Sequence, residues 1–137
     1  MFKTVLFPID QSRATLEAAE LVINLVKTHQ SQLTLLSVVE SATDQANTSA
    51  SDPMQSEVAV AQLLEKVKSL FAVQGIATQT IERDGKPAFI ICDVADEINA
   101  DLIVMGCRGL GLTEEGANDS VTNRVINLSP CPVLVVP

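Results

Sequence analysis

The chain has 137 residues, 47% of them hydrophobic, 3% aromatic and 19% charged, which suits one compact domain spanning 1–137 and leaves little room for a second. Nine basic residues against seventeen acidic ones give a formal charge of -8, which repels nucleic-acid backbones and anionic lipid surfaces at long range. With no Trp or Tyr and four Phe there is also little to stack unpaired bases on, so neither nucleic acid nor membrane is expected as a partner. A small anionic ligand would need backbone N–H groups, a local cation or a metal ion to overcome this field.

Cys92, Cys107 and Cys131 are odd in number and contain no Cys-x-x-Cys pair, which argues against a disulfide framework or zinc site and for a reducing compartment. The apolar run Val5-Leu6-Phe7 is cut by Pro8 and Asp10 and is too short for a signal peptide or a membrane span. A cytoplasmic location is the expectation.

Thr4 to Ile9 and Leu33 to Val39 are short apolar runs rich in β-branched residues, as in buried strands. Between them Leu16, Ala19, Ile23 and Val26 recur at helical spacing after a capping Ser12, and His29 falls at the helix end, where a cation suits the dipole. About 40–56 turns to Ser, Thr, Asp, Asn, Gln and Ala, a composition expected of a mobile surface loop. Val60, Leu64, Val67 and Phe71 mark a second helix ending near Gly75, and Ile76 to Glu82 alternates like an edge strand. Asp84-Gly85-Lys86-Pro87 reads as a turn into a third helix carrying Ala88, Ile91, Ala95 and Ile98. Asp101 to Gly106 has the nearly unbroken apolar character of a central parallel strand; Val121, Val125 and Leu128 mark a last helix, and Val133 to Val136 a final strand. Five strands alternating with four helices give an α/β fold with a single open, mainly parallel sheet and helices on both faces. In such sheets ligands bind beyond the carboxyl ends of the strands, where the winding reverses.

Four of the six glycines, Gly106, Gly109, Gly111 and Gly116, fall within eleven residues ahead of the last helix. Glycine lets backbone N–H groups approach a phosphate, and a helix N-terminus adds partial positive charge; a crossover loop with several turns accounts for the same residues equally well. Gly111-x4-Gly116 has P-loop spacing, but Ala117-Asn118 stands where Lys and Ser or Thr are required. Gly109-x-Gly111 begins a dinucleotide fingerprint, yet Glu114 occupies the third glycine and the loop follows the fourth strand.

Val5-Leu-Phe-Pro-Ile-Asp-Gln-Ser12, Leu33-Thr-Leu-Leu-Ser-Val-Val39, Gly85-Lys-Pro-Ala88, Ala100-Asp-Leu-Ile-Val-Met-Gly-Cys-Arg-Gly109 and Ser129-Pro-Cys-Pro-Val-Leu-Val-Val136 together resemble the universal stress proteins along almost the whole chain. The resemblance implies strand order 3-2-1-4-5 of the adenine nucleotide alpha hydrolase-like kind. It also implies a homodimer built on Val133, Leu134, Val135 and Val136, a regulatory role with an unidentified protein partner and, in one branch, ATP or another adenine nucleotide, with or without magnesium, between strands one and four. Carried over position by position, it places Pro8, Ile9 and Val38 around the adenine and Asp10 near the ribose or a phosphate-bound metal. Met105, Gly106, Arg108 and Gly109 then run along ribose and phosphates, with Ser120, Val121 and Thr122 at the terminal phosphates. The branch motif Gly-x2-Gly-x9-Gly-(Ser/Thr) is matched at Gly106, Gly109 and Ser120, but Asp119 replaces its third glycine.

Each of these residues also has a plain structural reading. Asp10 suits a turn or helix cap, Asp119 a cap of the fourth helix, and Arg108 a loop charge paired with Glu114 or Glu115. Cys107 reads as a neutral loop thiol, and Cys92 and Cys131 as packing residues. No Ser-His-Asp set or metal-ligand cluster is legible. Three readings follow: a regulatory nucleotide binder, a nucleotide-independent dimeric interaction module, and slow cleavage at a nucleotide phosphate, for which the sequence offers least.

Overall fold

The computed structural model of the chain describes residues 2–10, 13–40, 57–106 and 121–137. The stretch expected as a mobile loop lies outside them except for Glu40, as do Ser12 and the glycine-rich segment after Gly106. The elements are β1 (Thr4–Pro8), α1 (Arg13–His29), β2 (Gln32–Glu40), α2 (Glu57–Val73), β3 (Thr78–Gly85), α3 (Pro87–Glu97), β4 (Leu102–Gly106), α4 (Val121–Leu128) and β5 (Val133–Val136).

All neighbouring strands pair in parallel in the order β3-β2-β1-β4-β5. Period-two alternation sends successive side chains to opposite faces. Val5, Phe7, Leu33, Leu35, Leu102 and Val104 therefore join Ala18, Val22, Leu64 and Phe71 in one core, under α1 and α2. Leu6, Leu36, Val38, Ile103 and Met105 join Ala88, Ile91, Val94 and Val125 in the other, under α3 and α4. The central strand is covered on both sides: Val5, Leu6 and Phe7 are fully buried. Phe7 and Phe71 meet edge to face at 6.1 Å between centroids, the arrangement their ring quadrupoles favour.

The apolar stripe expected for α1 holds at Ala19, Ile23 and Val26 and departs at Leu16. Its buried face carries Thr15, Ala18, Ala19, Val22 and Val26, while Leu16 points outward at 49% exposure. Small side chains at 15, 18 and 19 let the helix lie close to the sheet, which a leucine on that line would prevent. The strand expected at Ile76 to Glu82 runs instead from Thr78 to Gly85, because Gly75, at φ 80°, and Ile76 close the end of α2: the Gly75 N–H donates to the Ala72 carbonyl and the Ile76 N–H to the Phe71 carbonyl. Gly85 holds φ 143°, and a Cβ there would stand 3.0 Å from Ile90 Cδ1, so the turn into Pro87 at the start of α3 needs glycine twice over.

Phe71→Ala should cost about 3–5 kcal/mol in chemical denaturation, by lost burial and cavity, while Leu16→Ala costs under about 1 kcal/mol, as for an exposed helix position. Gly85→Ala should cost about 1–3 kcal/mol through backbone strain. A large loss at Leu16 would place its side chain in the core, as its apolar spacing suggests.

Candidate functional site

The order of winding reverses between β1 and β4, which lie side by side at the centre of the sheet. Val5 pairs with Leu102 and Leu6 with Ile103; continuing that register brings Gly106 level with Ile9. The turn Pro8-Ile9-Asp10 and the end of β4 thus share one edge of the sheet. The helices that follow these strands, α1 and α4, start from the same edge, where their dipoles favour negative charge.

The turn after β1 is pinned at successive residues. The Ile9 N–H donates to the Leu36 carbonyl at 2.8 Å, and the buried Ser37 hydroxyl donates to the Ile9 carbonyl at 3.5 Å. The Asp10 N–H donates to Thr15 Oγ1 at 3.0 Å, and that hydroxyl donates back to Asp10 Oδ1, also at 3.0 Å. Asp10 is 8% exposed and is the only charged side chain buried among the described residues. A carboxylate there, already directed by a hydroxyl, can accept from ligand hydroxyls or amines or join a cation.

Of the other residues singled out by sequence, Val38 and Met105 are buried together on the α3/α4 face, beside Leu6 and Val125. Ile9 packs instead on the α1/α2 face, with Phe7 and Val39. Side chains expected around one base are therefore divided between the two faces. Pro8 and Gly106, the last residues of their strands, are half-buried. Thr122 is buried, and its hydroxyl donates to the Gly106 carbonyl at 3.3 Å, tying the first turn of α4 to the end of β4; Val121 beside it is half-buried. Arg108, Gly109 and Ser120 lie outside the described residues, as does Asp119. Thr15 and Ser37 lie outside the residues expected from sequence; their signal is the spacing Asp10-x4-Thr15 and a serine within the apolar run Leu35 to Val39.

No group of three or more His, Cys, Asp or Glu able to hold a metal occurs among the described residues. A cleft of about 440 Å³ opens at the opposite end of the sheet, lined by Lys27, Gln30, Gln32, Ile76 and Gln79 among others. Its amine, Lys27, donates to Gln74 at 3.3 Å, and it lies away from the reversal point. His29 ends α1 and meets Phe2 edge to face at 5.2 Å, as a packing residue. Arg83 pairs with Glu97 at 2.7 Å across β3 and α3; both side chains are exposed, and the hydrogen bond and charge of Glu97 hold the guanidinium pKa above its ordinary value. Cys92 and Cys131 are half-buried at the edge of the α3/α4 core, and burial raises both thiol pKa values.

A family model described as the Universal stress protein family matches residues 1–137. Universal stress protein Sll1654 of Synechocystis sp. is 65% identical over all of this chain and 87% of its own length. Among solved structures, the universal stress protein UspA from Lactobacillus plantarum superposes with a TM-score of 0.79 at 28% identity, covering 99% of this chain and 98% of that one. A universal stress protein in complex with cAMP gives 0.78 at 20% identity, with 99% and 97% covered. That from Archaeoglobus fulgidus in complex with dAMP gives 0.72 at 18%, with 99% and 98% covered.

Raised thiol pKa values mean that Cys92 and Cys131 keep their protons, and so stay unreactive, to higher pH than a free cysteine. In a Cys107→Ser protein, both should be alkylated slowly by iodoacetamide at neutral pH, with the rate climbing only above the ordinary thiol range, as followed by mass spectrometry. Rapid neutral labelling of the folded protein would contradict their burial.

Proposed function

The chain belongs to the universal stress protein family and has its adenine nucleotide alpha hydrolase-like fold, and from that premise we propose that it is a regulatory protein of the cytoplasm that binds an adenine nucleotide where β1 and β4 end. The observation that carries this reading is the buried, pre-oriented carboxylate of Asp10 at the point where the winding reverses. The solved relatives carrying cAMP and dAMP support the ligand class.

The chemistry divides the ligand along the cleft. Asp10 repels phosphate and accepts from neutral hydroxyls, so it suits the sugar. Phosphates belong toward the start of α4, where helix N–H groups and glycine backbone supply positive character without a cluster of cations. Gly106, Arg108, Gly109, Ser120, Val121 and Thr122 are assigned to that side, the Thr122 contribution being main chain because its hydroxyl is engaged by Gly106. Val38 and Met105 offer the apolar wall for the base, and Pro8 and Ile9 contribute the turn. ATP with magnesium is the larger ligand this arrangement admits and AMP the smaller. Occupancy alters the surface that a protein partner reads, and turnover is not part of the role.

Asp119 at the third motif glycine favours a second reading, a nucleotide-independent interaction module. Its carboxylate repels a polyphosphate, and a left-handed backbone at that position would add about 1–2 kcal/mol of strain. In either reading the protein is proposed to be a homodimer through β5.

Equilibrium dialysis with AMP, ADP and ATP, each with and without magnesium, should show saturable binding, and the bound nucleotide should raise the melting temperature. No occupancy at millimolar nucleotide would leave the second reading standing. Asp119→Gly should tighten ATP binding about tenfold, the equivalent of about 1.4 kcal/mol, and Gly109→Val should weaken it by blocking close backbone approach; unchanged affinity in Asp119→Gly would reject the repulsion and strain argument. For the dimer, Leu134 and Val136 pack on one core and Val133 on the other. Val135→Lys therefore puts a charge on the edge with least cost to the fold, and sedimentation should then give a monomer where the parent gives a dimer.

A further inference from the structure

We propose that Thr15 is a positioning residue for the ligand site, setting the orientation of the Asp10 carboxylate and through it the preference for a ribose bearing hydroxyls. The proposal rests on the nucleotide reading above and adds to it a residue in the helix, where no ligand contact is needed for its effect. Thr15 and Asp10 are both buried, at 5% and 8% exposure. Their two hydrogen bonds, each 3.0 Å, form a closed exchange: the Thr15 hydroxyl accepts from the Asp10 N–H and gives its only proton to Asp10 Oδ1. The hydroxyl is thereby saturated in one direction, and Oδ1 is held as an acceptor. Fixing Oδ1 fixes the carboxylate plane and hence where its second oxygen lies.

On the N-terminal side of Asp10 the Ile9 N–H and carbonyl are tied to Leu36 and Ser37. That anchors the backbone but leaves the rotation of the Asp10 side chain to its own partners, of which Thr15 supplies the contact seen at Oδ1. A hydroxyl donor on a sugar needs its acceptor within a few tenths of an ångström and a narrow range of angle. Serine preserves both halves of the exchange. Valine, nearly the same shape, preserves neither.

The test has two arms on the full chain. Without ligand, NMR should show the Asp10 amide protected from exchange and its side chain in a single rotamer in the parent and in Thr15→Ser; Thr15→Val should expose the amide and average the rotamer. With ligand, calorimetry compares AMP with its 2′,3′-dideoxy analogue. The parent should prefer AMP by about tenfold, the size expected for hydrogen bonds to a charged acceptor. Thr15→Val should abolish most of that preference while leaving the dideoxy affinity in place, and Thr15→Ser should restore it. Equal weakening of both nucleotides in Thr15→Val would assign Thr15 a purely structural role and overturn the proposal, as would a preference retained in Thr15→Val or absent in the parent. If the parent binds neither nucleotide, the nucleotide reading fails and the role in selectivity fails with it, a result told apart by the first arm, which needs no ligand. Should Thr15→Val not fold, Thr15→Cys, a weak donor and acceptor, takes its place with the same expected loss.

Discussion

Parallel pairing of β1 with β4 is the constraint from which the remaining geometry follows. At the start of the pair the Thr4 N–H donates to Asp101 Oδ2 at 3.0 Å, and the Asp101 N–H donates to the Thr4 carbonyl at 2.8 Å, a two-way clamp that sets the register before the strands run together. Crossovers to one side of β1 place α1 and α2 on one face; those to the other side place α3 and α4 on the opposite face. The helices that follow β1 and β4 accordingly pack on opposite faces, α1 on one and α4 on the other. In sheets wound this way the carboxyl ends of the two strands at the reversal are where a ligand is accommodated.

Charge then decides what such a site can hold. In a chain of formal charge -8, burying one more carboxylate beside a proposed phosphate site looks counterproductive unless the two are spatially divided. Asp10 follows β1, whereas the residues proposed to face phosphate lie at the end of β4 and beyond it, so the proposed division matches the chain order. Main-chain N–H groups at a helix start provide the attraction that scattered Lys and Arg do not. The cost of burying Asp10 is offset by Thr15, whose hydroxyl serves the carboxylate and the backbone amide at once.

What was legible in the sequence was whatever registers as hydrophobic pattern. Asp101 to Gly106 is a nearly all-apolar run and Val133 to Val136 an unbroken one, and β4 and β5 lie there within one residue; Val60, Leu64, Val67 and Phe71 all face the core as their spacing implies. The error in α1 has the same origin. Apolar spacing points Leu16 inward, yet Thr15 takes the buried line, its hydroxyl consumed by Asp10, a contact between residues that no helical or strand period relates. Ser37 is hidden for a similar reason, its partner being the Ile9 carbonyl in the turn after β1. The separation of Ile9 from Val38 depends on strand register, which fixes the face a side chain takes but is written in no short motif.

The two edges of the sheet carry the last contrast. β3 presents Thr78-Gln-Thr-Ile-Glu-Arg-Asp-Gly85, mostly exposed, with charges at Glu82, Arg83 and Asp84. Such an edge discourages addition of another strand, since a neighbour must desolvate those charges or meet them with its own. β5 presents Val133-Leu-Val-Val136 with no charge and every residue half-buried. Among the described residues both strands pair on one side only, so the absence of protection on β5 is specific to that edge. An apolar edge in a strongly acidic protein also lies where the global repulsion between copies must be outweighed locally, which four charge-free residues in β-pairing register are suited to do. The asymmetry supports the proposed homodimer: in such a pair the four-residue β5 would be an interior strand, held from both sides.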